Sequence, residues 1–291
     1  MFFLYNENMI YLEEQLNLIR HLQEWRGPVF DAILRIFNFF DTFPYYSGLV
    51  AFIWVGVSWR WGVRLGFLLV VNGVANMLAK MAFALPRPLY YDPSLAVIKL
   101  GGYGFPSGGA QTAMLFGALL AYYWKSRWAW PCAALYVLSI SLSRVLLGVH
   151  FVTDVLGGWV LGLLVAILFI YAVRPIEAFA SKYSTKTLAA FVIFVLLAWA
   201  ILPAKLSFLM AVAVICAVGV YLSTKYGLYF TDSRKGWRKI LHGLVGIAGA
   251  AFLGQAAKML FPLSSFEFLV EACLGALWVS LLASPFCKRV L

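Results

Sequence analysis

Long apolar runs dominate this chain and leave it one solvent in which to fold. Stretches at roughly 44–59, 62–83, 106–124, 128–147, 151–173, 187–203, 207–223, 239–260 and 265–284 are long enough, or nearly so, to cross a bilayer as helices. Inside hydrocarbon each backbone N–H and C=O must find its partner within the segment or in a closed barrel, so runs of this length fold as helices. The expected fold class is therefore all-α, a polytopic membrane helical bundle of about nine transmembrane helices. Only 12% of the 291 residues are charged, against about 25% in soluble domains, which excludes a water-soluble globular enzyme.

A net charge of +11 raises the question of nucleic acid, and the positions of the charges answer it. Alternating the nine runs across a bilayer puts 14 of the 23 basic residues on one side, with only Glu177 and Asp232 of the 12 acidic ones. Basic loops stay cytoplasmic, so the N-terminus is expected outside and the C-terminus in the cytoplasm of a bacterial inner membrane. The basic surface is a consequence of topology, and no nucleic-acid partner follows from it.

Residues 11–26 and 28–41 carry apolar positions at helical spacing, among them Leu12, Leu16, Ile19 and Leu22, which suits interfacial helices beside a membrane site. Glu7, Glu13 and Glu14 precede the first long run, so the spans themselves are expected to act as the targeting signal. The organisation predicted is interfacial helices over 1–43, a five-span core over 44–173 and a four-span extension over 174–291. In the extension, Gly243, Gly246, Gly249 and Gly254 share one span and suit close helix packing. Cys132, Cys216, Cys273 and Cys287 lack zinc-site spacing and read as reduced packing residues.

Three stretches at matching span ends hold the polar residues that a chain this apolar would otherwise exclude. In the first, Lys80 stands at a span end and Arg87, followed by Pro88, lies seven residues on in a proline-stiffened loop; an ammonium and a guanidinium can converge there on one phosphoryl group. In the second, Pro106, Ser107, Gly108 and Gly109 open a span, offering a helix N-terminus to an anion. In the third, Ser143 and Arg144 precede His150 and Asp154, whose four-residue spacing lets a carboxylate hold one imidazole nitrogen and leave the other free. Taken singly, each has an ordinary reading: a snorkelling Lys80, an N-cap at Ser107, a His150–Asp154 capping pair.

Together these stretches resemble the signature of the type-2 phosphatidic acid phosphatase superfamily, K-x6-RP, PSGH and SR-x5-H-x3-D, with each internal spacing kept. The resemblance covers roughly residues 44–173. It implies a membrane lipid phosphatase or phosphotransferase in which His150 becomes a phosphohistidine, Asp154 orients it, and Lys80, Arg87, Ser107, Gly108 and Arg144 cradle the phosphoryl oxygens. It implies neither metal nor other cofactor, and fixed cations with backbone N–H groups can stabilise a phosphoryl-transfer transition state. The site would face the extracytoplasmic side, and the partner would be a phosphorylated or pyrophosphorylated lipid of the bilayer.

One position departs from the pattern. The second motif ends in a histidine, the family's general acid, where this chain has Gly109. His21 and His242 are the other histidines, and Tyr103 and Asp92 are further proton donors to weigh. Without an acid, a lipid pyrophosphate such as polyprenyl pyrophosphate is the expected substrate, because phosphate leaves more readily than an alkoxide. Two rival readings are a lipid-binding or lipid-translocating protein that keeps the anion cradle, and a transporter. The gathering of ionisable residues at one face, without broken helix pairs at midplane, disfavours the transporter.

Overall fold

The structure, a computed structural model, describes residues 2–182, 184–201, 207–229, 236–260 and 267–290. Their regular elements are all helical: α1 (Phe2–Gln23), α2 (Pro28–Phe39), α3 (Phe43–Phe52), α4 (Trp59–Phe83), α5 (Gly108–Tyr123), α6 (Ala129–Leu146), α7 (Val152–Lys182), α8 (Ser184–Ile201), α9 (Ser207–Lys225), α10 (Gly236–Leu260), α11 (Glu267–Leu277) and α12 (Ala283–Val290), with short 3-10 and π turns between some of them. Among the described residues, five helical segments are long and apolar enough to cross a membrane, against nine expected along the whole chain. They include most of α4, α6, α7 and α10, and the stretch Val270–Val290; Phe43–Val57, Thr185–Val195 and Met210–Lys225 are shorter apolar helices. The exposed faces are apolar: Leu135, Leu138 and Leu142 along α6 are 51–69% exposed, a surface that requires hydrocarbon rather than water. The protein is a multi-pass membrane protein.

The chain divides into two compact units that do not follow its order, one of residues 1–42 and 71–170, the other of 43–70 and 171–291. In the first, α5 packs closely on α6, and α1 and α2 also lie against α6. The α1 stripe is buried in protein: Leu16 and Ile19 pack with Leu95, Ala110, Val145, Phe151 and Val155. Gln23 secures α1 by donating to the carbonyls of Leu95 and Leu146, both at 2.9 Å. Helix α2 turns Leu34 onto Leu146, Leu147 and Val149 and leaves Val29, Ile36 and Phe39 exposed. A buried polar network ties α4 to α5, with Gln111 donating to Asn72 and Asn72 donating to Thr112.

In the second unit α10 lies against α3 and α11. A Cβ on Gly243 would meet the Phe52 ring at 2.5 Å and one on Gly249 the Trp278 ring at 2.2 Å, so these glycines set how near the helices come. Ala51, Trp54, Val55 and Val279 form the core there. Arg64 and Glu177 make a two-pronged ion pair at 2.7 Å. No disulfide joins the four cysteines, and Cys287 is buried.

Candidate active site

The site is built entirely within the first unit, from the C-terminal ends of α4 and α6, the N-terminal ends of α5 and α7, and the turn after α2. A cavity of about 280 Å³ is lined by Lys80, Arg87, Gly108, Gly109, Arg144 and His150, and also by Asp41, Asn76 and Thr112. Residues that stand far apart in the sequence thus share one wall. Ser107 and Asp154, which the motifs also single out, stand behind that lining.

Asp154 occupies the first turn of α7. Its Oδ2 accepts from the backbone N–H of Phe151 at 3.0 Å and lies 3.1 Å from His150 Nδ1. The other ring nitrogen, Nε2, is 3.0 Å from Arg87 Nη1. A guanidinium only donates, so Nε2 must present its lone pair, and the ring proton sits on Nδ1 and is donated to Asp154. This is the tautomer a nucleophilic imidazole needs. Burial, reinforced by Arg87, Lys80 and Arg144, holds His150 well below the usual histidine range, so the ring is neutral.

Backbone carbonyls hold two of the cations, Lys80 and Arg87. Lys80 Nζ donates to Tyr103 and Gly104 at 2.8 and 2.9 Å, and Arg87 donates to Gly102 and Val149 at 3.1 and 2.9 Å. These contacts leave Lys80 one N–H and Arg87 its Nη2 pair for an incoming anion. Arg144 extends from the end of α6 to Asp41 Oδ2 at 3.0 Å and Asn38 Oδ1 at 2.8 Å. Ser107 acts as N-cap of α5, its Oγ accepting from Ala110, while its own N–H donates to the Asp154 carbonyl at 2.8 Å. Gly108 lines the cavity and its carbonyl accepts from Thr112 at 2.9 Å.

The other acid candidates are placed elsewhere. Asp92 is engaged by Arg20 and by Ser94, and Tyr103, largely exposed, meets Lys80 through its carbonyl. His21 pairs with Glu24 on an exposed face, and His242 is buried in α10, in the second unit. Among the described residues no group of three or more His, Cys, Asp and Glu side chains is placed to hold a metal ion. Sequence reasoning missed Asp41, Asn38 and Asn76. The available signal for Asp41 was an acidic residue amid Phe37, Phe39, Phe40 and Phe43, costly beside a membrane without a partner.

Comparison with known proteins gives this geometry a family context. The chain is 32% identical to an undecaprenyl-diphosphatase of Sulfolobus acidocaldarius over 103 residues, 35% of this chain and 50% of that protein. It is 35% identical to phosphatidylglycerophosphatase B of Bacillus subtilis over 89 residues, 28% of this chain and 44% of that protein. It thus spans about half the length of the curated relatives it matches. A solved transmembrane PAP2-type phosphatidylglycerolphosphate phosphatase of Bacillus subtilis aligns at a TM-score of 0.47 with 23% identity, covering 56% of this chain and 86% of the other. Residues 61–178, the segment that carries all three motif stretches, match the sequence model described as the PAP2 superfamily.

Proposed function

We propose that the protein is a membrane lipid phosphatase or phosphotransferase that works through a phosphohistidine at His150. The observation that carries this reading is a neutral imidazole, held at Nδ1 by Asp154, whose lone pair at Nε2 meets Arg87 in a wall shared with Lys80 and Arg144. In the first step Nε2 attacks phosphorus, the P–O bond to the lipid-bearing oxygen breaks with its electrons going to that oxygen, and an N–P bond forms. Asp154 stabilises the positive charge that develops on the ring. Lys80, Arg87 and Arg144 offset the charge on the equatorial oxygens, with Gly108 at the α5 N-terminus allowing close approach and Ser107 fixing that terminus. In the second step water, or an acceptor hydroxyl, displaces the phosphoryl group and the imidazole is restored.

The relatives' names, one a diphosphatase and one a phosphatidylglycerophosphatase, support a lipid substrate and span both bond types. Loop charge supports a site on the extracytoplasmic face of the inner membrane, reached by a phosphorylated or pyrophosphorylated lipid within the bilayer. The absence of a histidine at Gly109 favours, as a second reading, a lipid-binding protein that retains the cradle. Phosphate release from lipid mono- and diphosphates, measured with trapping of phosphorylated His150, separates the two. The phosphatase reading expects turnover, a labelled intermediate, and loss of both in His150→Ala. Turnover that survives His150→Ala defeats the phosphohistidine mechanism, and lipid binding without turnover or label favours the binding protein.

A further inference from the structure

Asp41 lies in the turn between α2 and α3, yet its carboxyl group stands at position 109. A Cβ built on Gly109 would fall 2.2 Å from Asp41 Oδ2 and 2.6 Å from its Cγ. Any larger side chain at 109 would begin in the space this carboxyl occupies, so Gly109 and Asp41 are sterically matched. The Asp41 side chain is 15% exposed and lines the same cavity as His150. Arg144 fixes its Oδ2 at 3.0 Å. Its other oxygen, Oδ1, takes no hydrogen bond among the described residues and is left to carry a proton.

We propose that Asp41 is the general acid–base of this site, protonating the leaving oxygen in place of a side chain at position 109. This rests on the phosphatase reading. As Nε2 of His150 attacks phosphorus, the Oδ1–H proton passes to the departing lipid oxygen, which leaves as a neutral hydroxyl and Asp41 becomes a carboxylate. In the second step that carboxylate takes a proton from the attacking water, whose oxygen bonds to phosphorus as the N–P bond breaks; phosphate is released and Asp41 is protonated again. Other lining groups fit the task less well: Lys80 is tied to two carbonyls, Arg87 and Arg144 do not release protons, and His150 is the nucleophile.

Burial outweighs the opposing pull of Arg144 and raises Asp41 to about 6, so the turn carboxyl holds a proton in mildly acidic solution. The charged and titratable groups that share its cavity are Lys80, Arg87, Arg144 and His150. The three cations favour the carboxylate, and an arriving phosphoryl anion opposes them. Because Asp41 donates in its protonated form, the rate of the first step falls as pH rises through its pKa. The glycine at 109 is then a relocation of the acid rather than its loss, and the argument for a pyrophosphate-only substrate is removed.

The test compares the parent with Asp41→Asn on substrates that differ in leaving group: phosphatidic acid, which expels an alkoxide, and 4-nitrophenyl phosphate, which expels a stable phenolate. Asp41→Asn keeps the size of the side chain and an acceptor for Arg144. Turnover of phosphatidic acid is expected to fall by about 10²–10⁴-fold, that of 4-nitrophenyl phosphate by far less, and the alkaline limb of the pH profile to disappear. A second variant, Asp41→Gly with Gly109→His, is expected to recover phosphatidic acid turnover relative to Asp41→Gly alone. Equal losses on both substrates with the pH limb intact overturn the proposal in favour of a packing role, as does unchanged turnover of phosphatidic acid. A parent that releases phosphate from no substrate and traps no phosphohistidine overturns the phosphatase reading itself; an active parent with an indifferent Asp41 overturns only the acid.

Discussion

At the scale of single residues, the proposed chemistry turns on which nitrogen of His150 keeps its lone pair. Arg87 at Nε2 and Asp154 at Nδ1 decide that together, one as a permanent donor and the other as an acceptor. Asp154→Asn removes the charge and allows an amide N–H to face Nδ1, which would move the ring proton to Nε2 and destroy the nucleophile. Its kcat is expected to fall on the order of 10⁴-fold, the size seen when a triad aspartate is so changed, with a much smaller effect on KM. Steady-state kinetics in detergent micelles would check this, and a loss confined to KM would contradict it. In the proposed mechanism the reactive ring is the neutral one and is lost only as pH falls below its pKa. With His150 held well below its ordinary 6.5 by burial and three cations, no acid-side loss of rate is expected as pH descends through that value. A pH profile that halves near 6.5 on the acid side would contradict the assignment.

At the scale of elements, the turn between α6 and α7 brings Arg144 and His150 to one cavity although a helix end separates them. Gly148 makes that turn, with φ at 67° and its Cα so near Leu95 that an added Cβ would lie 2.0 Å from the carbonyl oxygen. The same turn accepts Val97 N–H at the Leu147 carbonyl, fastening the Pro88–Leu95 loop region to the end of α6. Gly148→Ala therefore meets both backbone strain, of order 1–3 kcal/mol, and a collision with backbone. A lowered unfolding temperature and a loss of turnover are expected together, measured by thermal unfolding in detergent alongside phosphate release. A variant as stable and active as the parent would show that this turn does not position the site. The buried network of Asn72, Asn76, Gln111 and Thr112 plays a comparable part between α4 and α5, since unpaired polar groups in an apolar bundle are costly.

At the scale of the whole molecule, the basic loops predict how the bundle sits in a membrane. The Pro88–Leu95 region, between α4 and α5, is expected outside, and the connection between α5 and α6, with Lys125 and Arg127, inside. On a background with the four native cysteines replaced, Ser94→Cys should react with an impermeant maleimide in intact cells and Ser126→Cys only after permeabilisation. The reverse labelling would invert the orientation and turn the proposed site toward the cytoplasm. Membership of the units adds a feature that chain order conceals: residues 43–70 cluster with 171–291, so the chain leaves the unit holding the site after α2 and returns to it within α4.

The apolar runs determined the helical membrane class, because the length and hydropathy of a span are local properties of the chain. The motif spacings likewise picked out Lys80, Arg87, Gly108, Arg144 and His150, which share a cavity, and Asp154, which is bonded to His150. Helical periodicity also announced the α1 stripe, but only packing decided that Leu16 and Ile19 face protein. The tertiary structure alone decided that Ser107 stands behind the lining, that carbonyls hold Lys80 and Arg87, and that Asp41 lies against Gly109. No spacing rule links residues 41 and 109: their contact depends on how the turn after α2 meets the start of α5, and the missing Cβ that permits it is visible only once both backbones are in place.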